Sequence, residues 1–448
     1  MRNLYIKTYG CQMNVYDSEF MTNLIKPMGF KMVTELEQAD VLILNTCHIR
    51  EKAVERLYSE LGHIHLVSKK KQNTMNKKMI IIIAGCVAQA EGEEIFNRAP
   101  FVDIIVGPQS IADLPNLILA IESDKKQIVH TEFPEIAKFD NISESYSDHH
   151  TGVSACITIQ EGCNKFCTFC VVPYTRGNEY SRPVNSILRE VLQLVHRGAQ
   201  EITLLGQNIN AYHGINEGIV CDLGTLITHI AKIEQIRRIR YITSHPKDMH
   251  ETLYYAHAHE TKLMPFLHLP VQSGSNKILR RMNRQYTVQD YLTIIHRLRT
   301  LRYDMAFSSD FIVGYPGETE QDFQDTIQLV QTVQYTQGYS FIYSPRPGTP
   351  AAEQKDQVSI QVQKARLLRL QKLLNEQQML FNRSMIGKIV PVLFTDKRGK
   401  YQNQIIGKSV HMQSVCIYDE AGRYNNTIVN VKILQAFQNS LLGEILEQ

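Results

Sequence analysis

Two stretches of the chain, Val41–Thr46 and Met79–Gly85, are almost unbroken runs of apolar side chains. Strands covered on both faces read this way, because neither face has to meet water. Leu4–Gly10 and Val102–Val106 are two further strand candidates. Between these runs the apolar period lengthens to that of a helix, over Tyr16 to Met28, Ile49 to Leu66 and Gln89 to Asn97. Such alternation predicts an open parallel α/β sheet. The lysine-rich Lys69–Lys78 stretch reads as a solvated loop. Ile136 to His150 is polar and without period, the pattern of an interdomain linker.

From Ala155 the alternation resumes for six units. The strand candidates are Cys156–Gln160, Glu201–Leu205, Arg238–Thr243, Pro265–Leu269, Ala306–Val313 and Tyr339–Tyr343. In the first intervening helix Ile187, Leu188, Val191, Leu192, Leu194 and Val195 form the apolar set, and Gly198 stops it. Six units are too few for an eight-fold barrel and predict a partial (β/α)6 barrel. Ile360 to Met385 is one long helical pattern whose basic residues Lys364, Arg366, Arg369 and Lys372 suit a solvated face. After it the period shortens again. Ile389–Phe394, Gln404–Val410, Ser414–Tyr418, Thr427–Leu434 and Leu441–Leu446 predict a small OB-like β-barrel. The division expected from this is an N-terminal domain over 1–120, a linker over 121–150, a barrel core over 151–380 and a β-barrel over 383–447.

Composition narrows the picture. With 43% hydrophobic and 21% charged residues, the 448-residue chain is globular rather than disordered. A net charge of +3 permits a nucleic-acid partner without requiring one. Met1–Lys7 carries no apolar signal core, and no apolar run approaches the ~18 residues of a membrane span. A cytoplasmic protein without membrane attachment is expected. Nine cysteines without an export signal favour metal binding or catalysis over disulfides.

The cysteines fall into a pattern. Cys163, Cys167 and Cys170 sit at Cys-x3-Cys-x2-Cys in one tight loop, a spacing that turns successive sulfurs onto one centre. Zinc asks for four ligands, so a zinc knuckle would have to borrow a distant His. Cys11, Cys47 and Cys86 each follow a strand candidate directly. In open α/β sheets ligands collect at those carboxyl ends, so the three point to a second metal site; the alternative is that each is a small buried hydrophobe. Cys156, Cys221 and Cys416 fit no ligand spacing and read as ordinary thiols.

The carboxyl ends of the six barrel strands are polar and Gly-rich: Gly206–Tyr212, Thr243–Pro246, Pro270–Ser275, Gly314–Thr319 and Ser344–Pro350 join the cysteine loop on one rim. Barrels of this type place their chemistry there. His245 is read as orienting its loop or touching a ligand, Asp310 and Glu318 as capping turns, and Arg280–Arg284 as a solvated helix end or a phosphate contact.

The whole arrangement resembles the radical S-adenosylmethionine (SAM) methylthiotransferases over nearly its full length. The residues that carry the resemblance are Cys163–Cys170 with Val171–Gly177, Gln207–Tyr212 and Tyr343–Ala352, and they resemble the branch acting on N6-dimethylallyladenosine in tRNA. The resemblance implies a [4Fe-4S] cluster on Cys163, Cys167 and Cys170 that binds and cleaves SAM. It implies a second [4Fe-4S] cluster on Cys11, Cys47 and Cys86 that carries the sulfur to be inserted. Phe169, Gln207, Ser244 and Gln272 are the expected SAM contacts, and the C-terminal barrel, called TRAM in that family, the tRNA holder. An electron donor such as a flavodoxin, a sulfur source and a monomeric state are expected with it. Two variants of the same chemistry, on threonylcarbamoyladenosine in tRNA or on a ribosomal-protein aspartate, and a non-catalytic metal-stabilised RNA-binding protein are the alternatives.

Overall fold

A computed structural model describes residues 2–47, 51–123, 126–134, 138–141, 152–419 and 422–446. The chain forms two compact units, one from Met1–Asp148 with Glu161–Asn164 and Val171–Tyr180, the other from His149–Gln160, Lys165–Cys170 and Ser181–Gln448.

The first unit is a six-stranded parallel sheet built from β1 (Arg2–Thr8), β2 (Phe30–Met32), β3 (Val41–Thr46), β4 (Ile80–Gly85), β5 (Ile104–Val106) and β6 (Ile128–His130). Every residue of β3 and β4 is buried. Apolar clusters on the two faces explain why those runs do not alternate. The strand order β2-β1-β3-β4-β5-β6 reverses direction of growth between β1 and β3. That is the point where such sheets open a crevice at their carboxyl end. The helices are α1 (Gln12–Ile25), α2 (Glu51–Met75), α3 (Cys86–Glu91), α4 (Glu94–Arg98), α5 (Leu114–Glu122) and, returning from later in the chain, α6 (Val172–Arg176).

Several expectations are corrected here. Most of the lysine-rich stretch is helix and only residues 76–78 of it are loop, because α2 runs on to Met75 and the buried Lys71 ammonium bonds the Ala39 carbonyl at 2.5 Å and Asp40 at 3.2 Å. Lysine is a good helix former, and a partner for one buried ammonium suffices to dock the last turns. The helix expected over Gln89–Asn97 is two short ones, broken where Gly92 turns to φ +50°. Part of the expected linker is ordered into β6 and a helical turn at Lys138–Asn141; its residues 142–150, like Ile49 at the expected start of α2, lie outside the described residues.

In the second unit β7 (Ser154–Thr158), β10 (Glu201–Leu205) and β13 (Arg238–Tyr241) form one parallel sheet, and β14 (Phe266–His268), β15 (Ala306–Val313) and β16 (Gln337–Ile342) another. A parallel bridge from Ile239 to Leu263 continues the first sheet towards the second. Short strands β8 (Gln160–Glu161) and β9 (Tyr180–Ser181) mark where the chain passes between the units, and β11 (His213–Asn216) pairs with β12 (Ile219–Asp222) in a hairpin that the apolar pattern did not reveal. The covering helices are α7 (Val184–His196), α8 (Leu223–Ala231), α9 (Glu251–His259), α10 (Asn276–Arg281), α11 (Val288–Leu301) and α12 (Glu320–Val333). Thr287 with Asp290 and Thr319 with Asp322 close capping boxes on α11 and α12, so both helices start at a fixed residue.

The long α13 (Ile360–Arg383) leads into β17 (Ile389–Arg398), β18 (Gln404–Ser409), β19 (Ser414–Tyr418), β20 (Ile428–Ala436) and β21 (Ser440–Ile445), a closed five-stranded barrel. The basic residues of α13 are only partly solvated. Arg366 is buried on Glu318, at 2.8 Å, and Arg369 pairs with Glu320. The barrel is joined to β13 by two arginine forks. Arg238 donates to the carbonyls of Lys408 and Pro391, both at 2.9 Å, and Arg240 to those of Val410 at 3.0 Å and Ser409 at 2.8 Å. Glu201 on β10 accepts from Arg240 Nε at 2.9 Å and fixes the fork's direction.

Candidate metal centres

In the first unit the three separated cysteines follow three adjacent strands, Cys11 after β1, Cys47 after β3 and Cys86 at the head of α3 after β4. Cys11 and Cys47 therefore flank the crevice where the strand order reverses. Cys11 is exposed, while Cys47 and Cys86 are buried. Gly10 makes the approach possible: its φ is +134°, and a Cβ there would stand 2.4 Å from Cys47 Cβ. A hydrogen bond with Cys47, the Arg176 charge and the Asn14 and Met13 backbone pull the Cys11 thiol down to about 6.

Polar residues that the strand pattern did not single out brace this crevice. Asn14 donates to Asn45 Oδ1 at 3.1 Å, Asn45 returns a bond to the Asn14 carbonyl at 2.8 Å, and the Cys11 thiol donates to Asn14 Oδ1 at 3.3 Å. The visible signal was Asn45-Thr46, a polar pair that ends an apolar run just before a cysteine. Beside them lies a buried ring of four charges. Asp17 binds Lys138 and Arg176, both at 2.7 Å, and Glu161 binds the same two cations at 2.7 and 2.9 Å. α6 packs on α3, so Arg176 carries its charge to Cys86 as well as to Cys11.

The loop cysteines are placed by different means. Cys163 receives its backbone bond from within the first unit, donating to the Gly177 carbonyl at 3.2 Å. In the second unit Cys170 N donates to the Cys167 carbonyl at 2.9 Å, closing a turn. The segment after α10 pins that turn. Thr168 donates to the carbonyls of Met282 and Arg281, and Asn283 donates to those of Lys165 and Phe166, both at 3.1 Å. Phe166 takes φ +46° in consequence. The Arg280–Arg284 run is therefore not a solvated helix end. Only Arg280 is exposed; Arg281 pairs with Asp356 at 2.8 Å, and Arg284 is buried against Cys167 Sγ at 3.4 Å.

Of the four expected SAM contacts, Phe169 packs against the cluster formed by Ile278, Met282, Tyr315, Tyr343 and Ala351. Gln207 is held through its backbone N–H on Gln160 Oε1 at 2.8 Å. Ser244 is buried after β13, and Gln272 is buried at φ +73° with its backbone bridged to β15. Among the described residues, Ser244 Oγ, His245 Nε2, Asn208 Oδ1 and Tyr343 Oη are buried polar atoms with no hydrogen-bond partner inside the protein. Ser244, His245 and Asn208 follow β10 and β13 on one rim, and Tyr343 follows β16. Buried polar groups are ordinarily paired, so orphans on one rim fit a polar ligand such as SAM. His245 Nδ1 accepts from Lys247 N, as a loop-orienting residue does, and burial holds its pKa far below the ordinary histidine range. Asp310 lies 3.6 Å from His268, and Glu318 accepts from Gly314 N at 2.7 Å and from Arg366, which gives Glu318 a turn-capping place.

No three His, Cys, Asp or Glu side chains among the described residues gather closely enough to hold a single metal ion. A four-iron cluster makes a different demand. Each cysteine takes its own iron, so three thiols on neighbouring strand ends fit it without converging on one point.

The Radical SAM superfamily model matches residues 157–330, and that of an uncharacterized protein family, UPF0004, matches residues 3–107. The chain is 66% identical over 443 residues to the tRNA-2-methylthio-N(6)-dimethylallyladenosine synthase of Wolbachia pipientis subsp. Culex pipiens (strain wPip), covering 99% of both chains. It belongs to that synthase family. A member from Ehrlichia canis (strain Jake) is 60% identical over 446 residues, covering 99% of this chain and 100% of the relative. Among solved structures, the radical S-adenosylmethionine methyltransferase TsrM from Kitasatospora setae, with cobalamin and a [4Fe-4S] cluster bound, aligns at a TM-score of 0.58 and 12% identity, covering 78% of this chain and 77% of that one. The cobalamin-dependent radical enzyme OxsB aligns at 0.55 and 11%, covering 84% of this chain and 56% of that one. At those identities the likeness to solved structures shows the fold alone. The synthase family accounts for both units of this chain, and no helix among the described residues is long and apolar enough to cross a membrane.

Proposed function

We propose that this protein converts N6-dimethylallyladenosine at position 37 of tRNA, next to the anticodon, to 2-methylthio-N6-dimethylallyladenosine, with SAM and two [4Fe-4S] clusters. The observation that carries this reading is the 66% identity to a synthase of that name across 99% of both chains. In this reading Cys11, Cys47 and Cys86 hold the auxiliary cluster, and Cys163, Cys167 and Cys170 hold the SAM-cleaving one. When bound, the clusters and SAM supply the inserted sulfur, its methyl group and the radical that activates adenine C2.

The rest falls to the chain's own residues. Asn14 and Asn45 hold the Cys11 loop over the sheet crevice. Asn283 and Thr168 keep the Cys167–Cys170 turn in shape. Ser244 Oγ, His245 Nε2 and Asn208 Oδ1 offer polar contacts to SAM, with Phe169, Gln207 and Gln272 completing its pocket. The target base has to leave the anticodon-loop stack to reach such a site. The barrel over 383–447, fixed through Arg238 and Arg240, grips the tRNA. The core at 151–380 and the N-terminal domain at 1–120, joined through 121–150, carry the two clusters. The setting is a cytoplasmic monomer served by a flavodoxin-like reductant and a sulfur source.

Mass spectrometry of nucleosides from total tRNA of cells lacking the gene tests the reading. The methylthio product disappears and its unthiolated precursor accumulates. If only the threonylcarbamoyl nucleoside loses its methylthio group, the tRNA target is wrong; if tRNA is unchanged, an RNA target is wrong.

A further inference from the structure

Arg284 is a fully buried cation in the second unit, and its hydrogen-bond partners are unusual. Nε donates to Tyr286 Oη at 3.0 Å, Nη2 to the Pro270 carbonyl at 2.6 Å and Nη1 to Cys167 Sγ at 3.4 Å. Among the described residues no carboxylate partners this guanidinium. The other buried arginines among the described residues sit on acids: Arg176 on Asp17 and Glu161, Arg182 on Glu190, Arg238 and Arg240 on Glu201, Arg366 on Glu318. A guanidinium stays charged in a protein and is costly to bury unpaired. Tyr286 and the Pro270 carbonyl offer dipoles only. The third partner is the Cys167 sulfur, 3.4 Å away, the one atom of the three that would bear negative charge as a ligand of a bound cluster.

Geometry fixes the contact. Tyr286 Oη donates onward to the Val271 carbonyl at 2.8 Å, so phenol and guanidinium are both tied to the Pro270–Val271 strand end. His245 stands edge-on to the Tyr286 ring at 5.5 Å and closes the other side. The Arg284 fork therefore has no freedom to swing away from the sulfur.

We propose that Arg284 is a positioning residue for the SAM-cleaving cluster, setting its reduction potential through the charge-assisted N–H···Sγ bond to Cys167. The inference rests on the cluster assignment of the preceding subsection. Accepting one electron adds one negative charge to the cluster and its thiolates. A fixed cation donating to one thiolate favours the more negative state, and hydrogen bonds to cluster sulfurs are a recognised means of setting potential. The fold thus eases an electron transfer that a four-iron centre in an apolar pocket would resist.

The test uses the full chain reconstituted with iron and sulfide in a Cys11→Ala, Cys47→Ala, Cys86→Ala background, which leaves one cluster. That cluster is titrated with dithionite and followed by electron paramagnetic resonance. With Arg284→Gln, the ratio of reduced to oxidised cluster at a fixed applied potential falls at least tenfold, equivalent to ~59 mV for one electron. Arg284→Lys keeps the charge without the rigid fork and gives an intermediate value. Should Arg284→Gln take up no iron, Arg284→Lys decides alone: a lowered potential supports the assignment and a wild-type potential overturns it. A loaded Arg284→Gln protein with wild-type potential overturns it too, since a purely structural arginine changes how much cluster assembles and not its potential. Failure of wild-type-loop protein to bind four irons in this background would instead overturn the cluster assignment.

Discussion

Replacing Arg176 by Met opens the buried ring in the first unit. All four of its charged side chains are at most 3% exposed, and each carboxylate bridges both cations. The change leaves Asp17 and Glu161 to share Lys138 alone, one buried negative charge in excess. Breaking a buried pair by removing one partner costs ~3–5 kcal/mol, about a fifth or more of the ~5–15 kcal/mol that holds a domain folded. At ~2–4 °C per kcal/mol for a unit of this size, the calorimetric transition of the first unit falls by about 6–20 °C. Adding Asp17→Asn removes the excess charge, so the double variant recovers part of the loss, a coupling that independent sites do not show. The reasoning is refuted if Arg176→Met alone stays within about 1 kcal/mol of wild type, or if the two losses simply add.

Cys11→Ala and Cys163→Ala each abolish the methylthio product, and each leaves roughly half the iron of the wild type, one cluster of two; full iron content in either variant contradicts the ligand assignment. His257 is buried with Nε2 2.6 Å from Tyr241 Oη, and burial, with Arg302 nearby, lowers its pKa to about 3. The unfolded chain takes the proton first, near 6.5, so stability rises with pH between about 3 and 6.5 and is lost on acidification through that window. Denaturant titrations between pH 4 and 7 show that slope in the wild type and lose it in His257→Gln. Arg240→Ala removes two bonds to the barrel's carbonyls and strands Glu201 without its closest cation. Its tRNA dissociation constant rises several-fold by filter binding, while SAM cleavage without tRNA is unchanged.

What could be read from the sequence follows from how each feature earns its stability. β3 matched its apolar run residue for residue and β4 all but its first, because strands buried on both faces admit nothing else. β2 and β6 are three residues each, too short for a period to register, and they owe their pairing to the sheet edge they join. α2 outran its apolar pattern because its final turns are held by one lysine and the Ala39 carbonyl, partners 32 positions apart. The candidate sites divide in the same way. Cysteines at strand ends were visible because their position repeats. Arg176 and Arg284 were not, because arginine in polar text resembles solvated surface and the partners that matter to the sites, Asp17 and Cys167, come from 159 and 117 positions away.

The barrel joint has a consequence for how this protein tolerates substitution. Arg238 and Arg240 grip four main-chain oxygens, those of Pro391, Lys408, Ser409 and Val410. Main-chain oxygens are present whatever side chain the codon specifies. At these four positions the barrel side of the joint can therefore change its side chains while the arginine contacts stay the same. At these four contacts the fragility lies in three residues on the other side, Arg238, Arg240 and Glu201. A library of barrels grafted behind an unchanged β10 and β13 would inherit the mount without redesign.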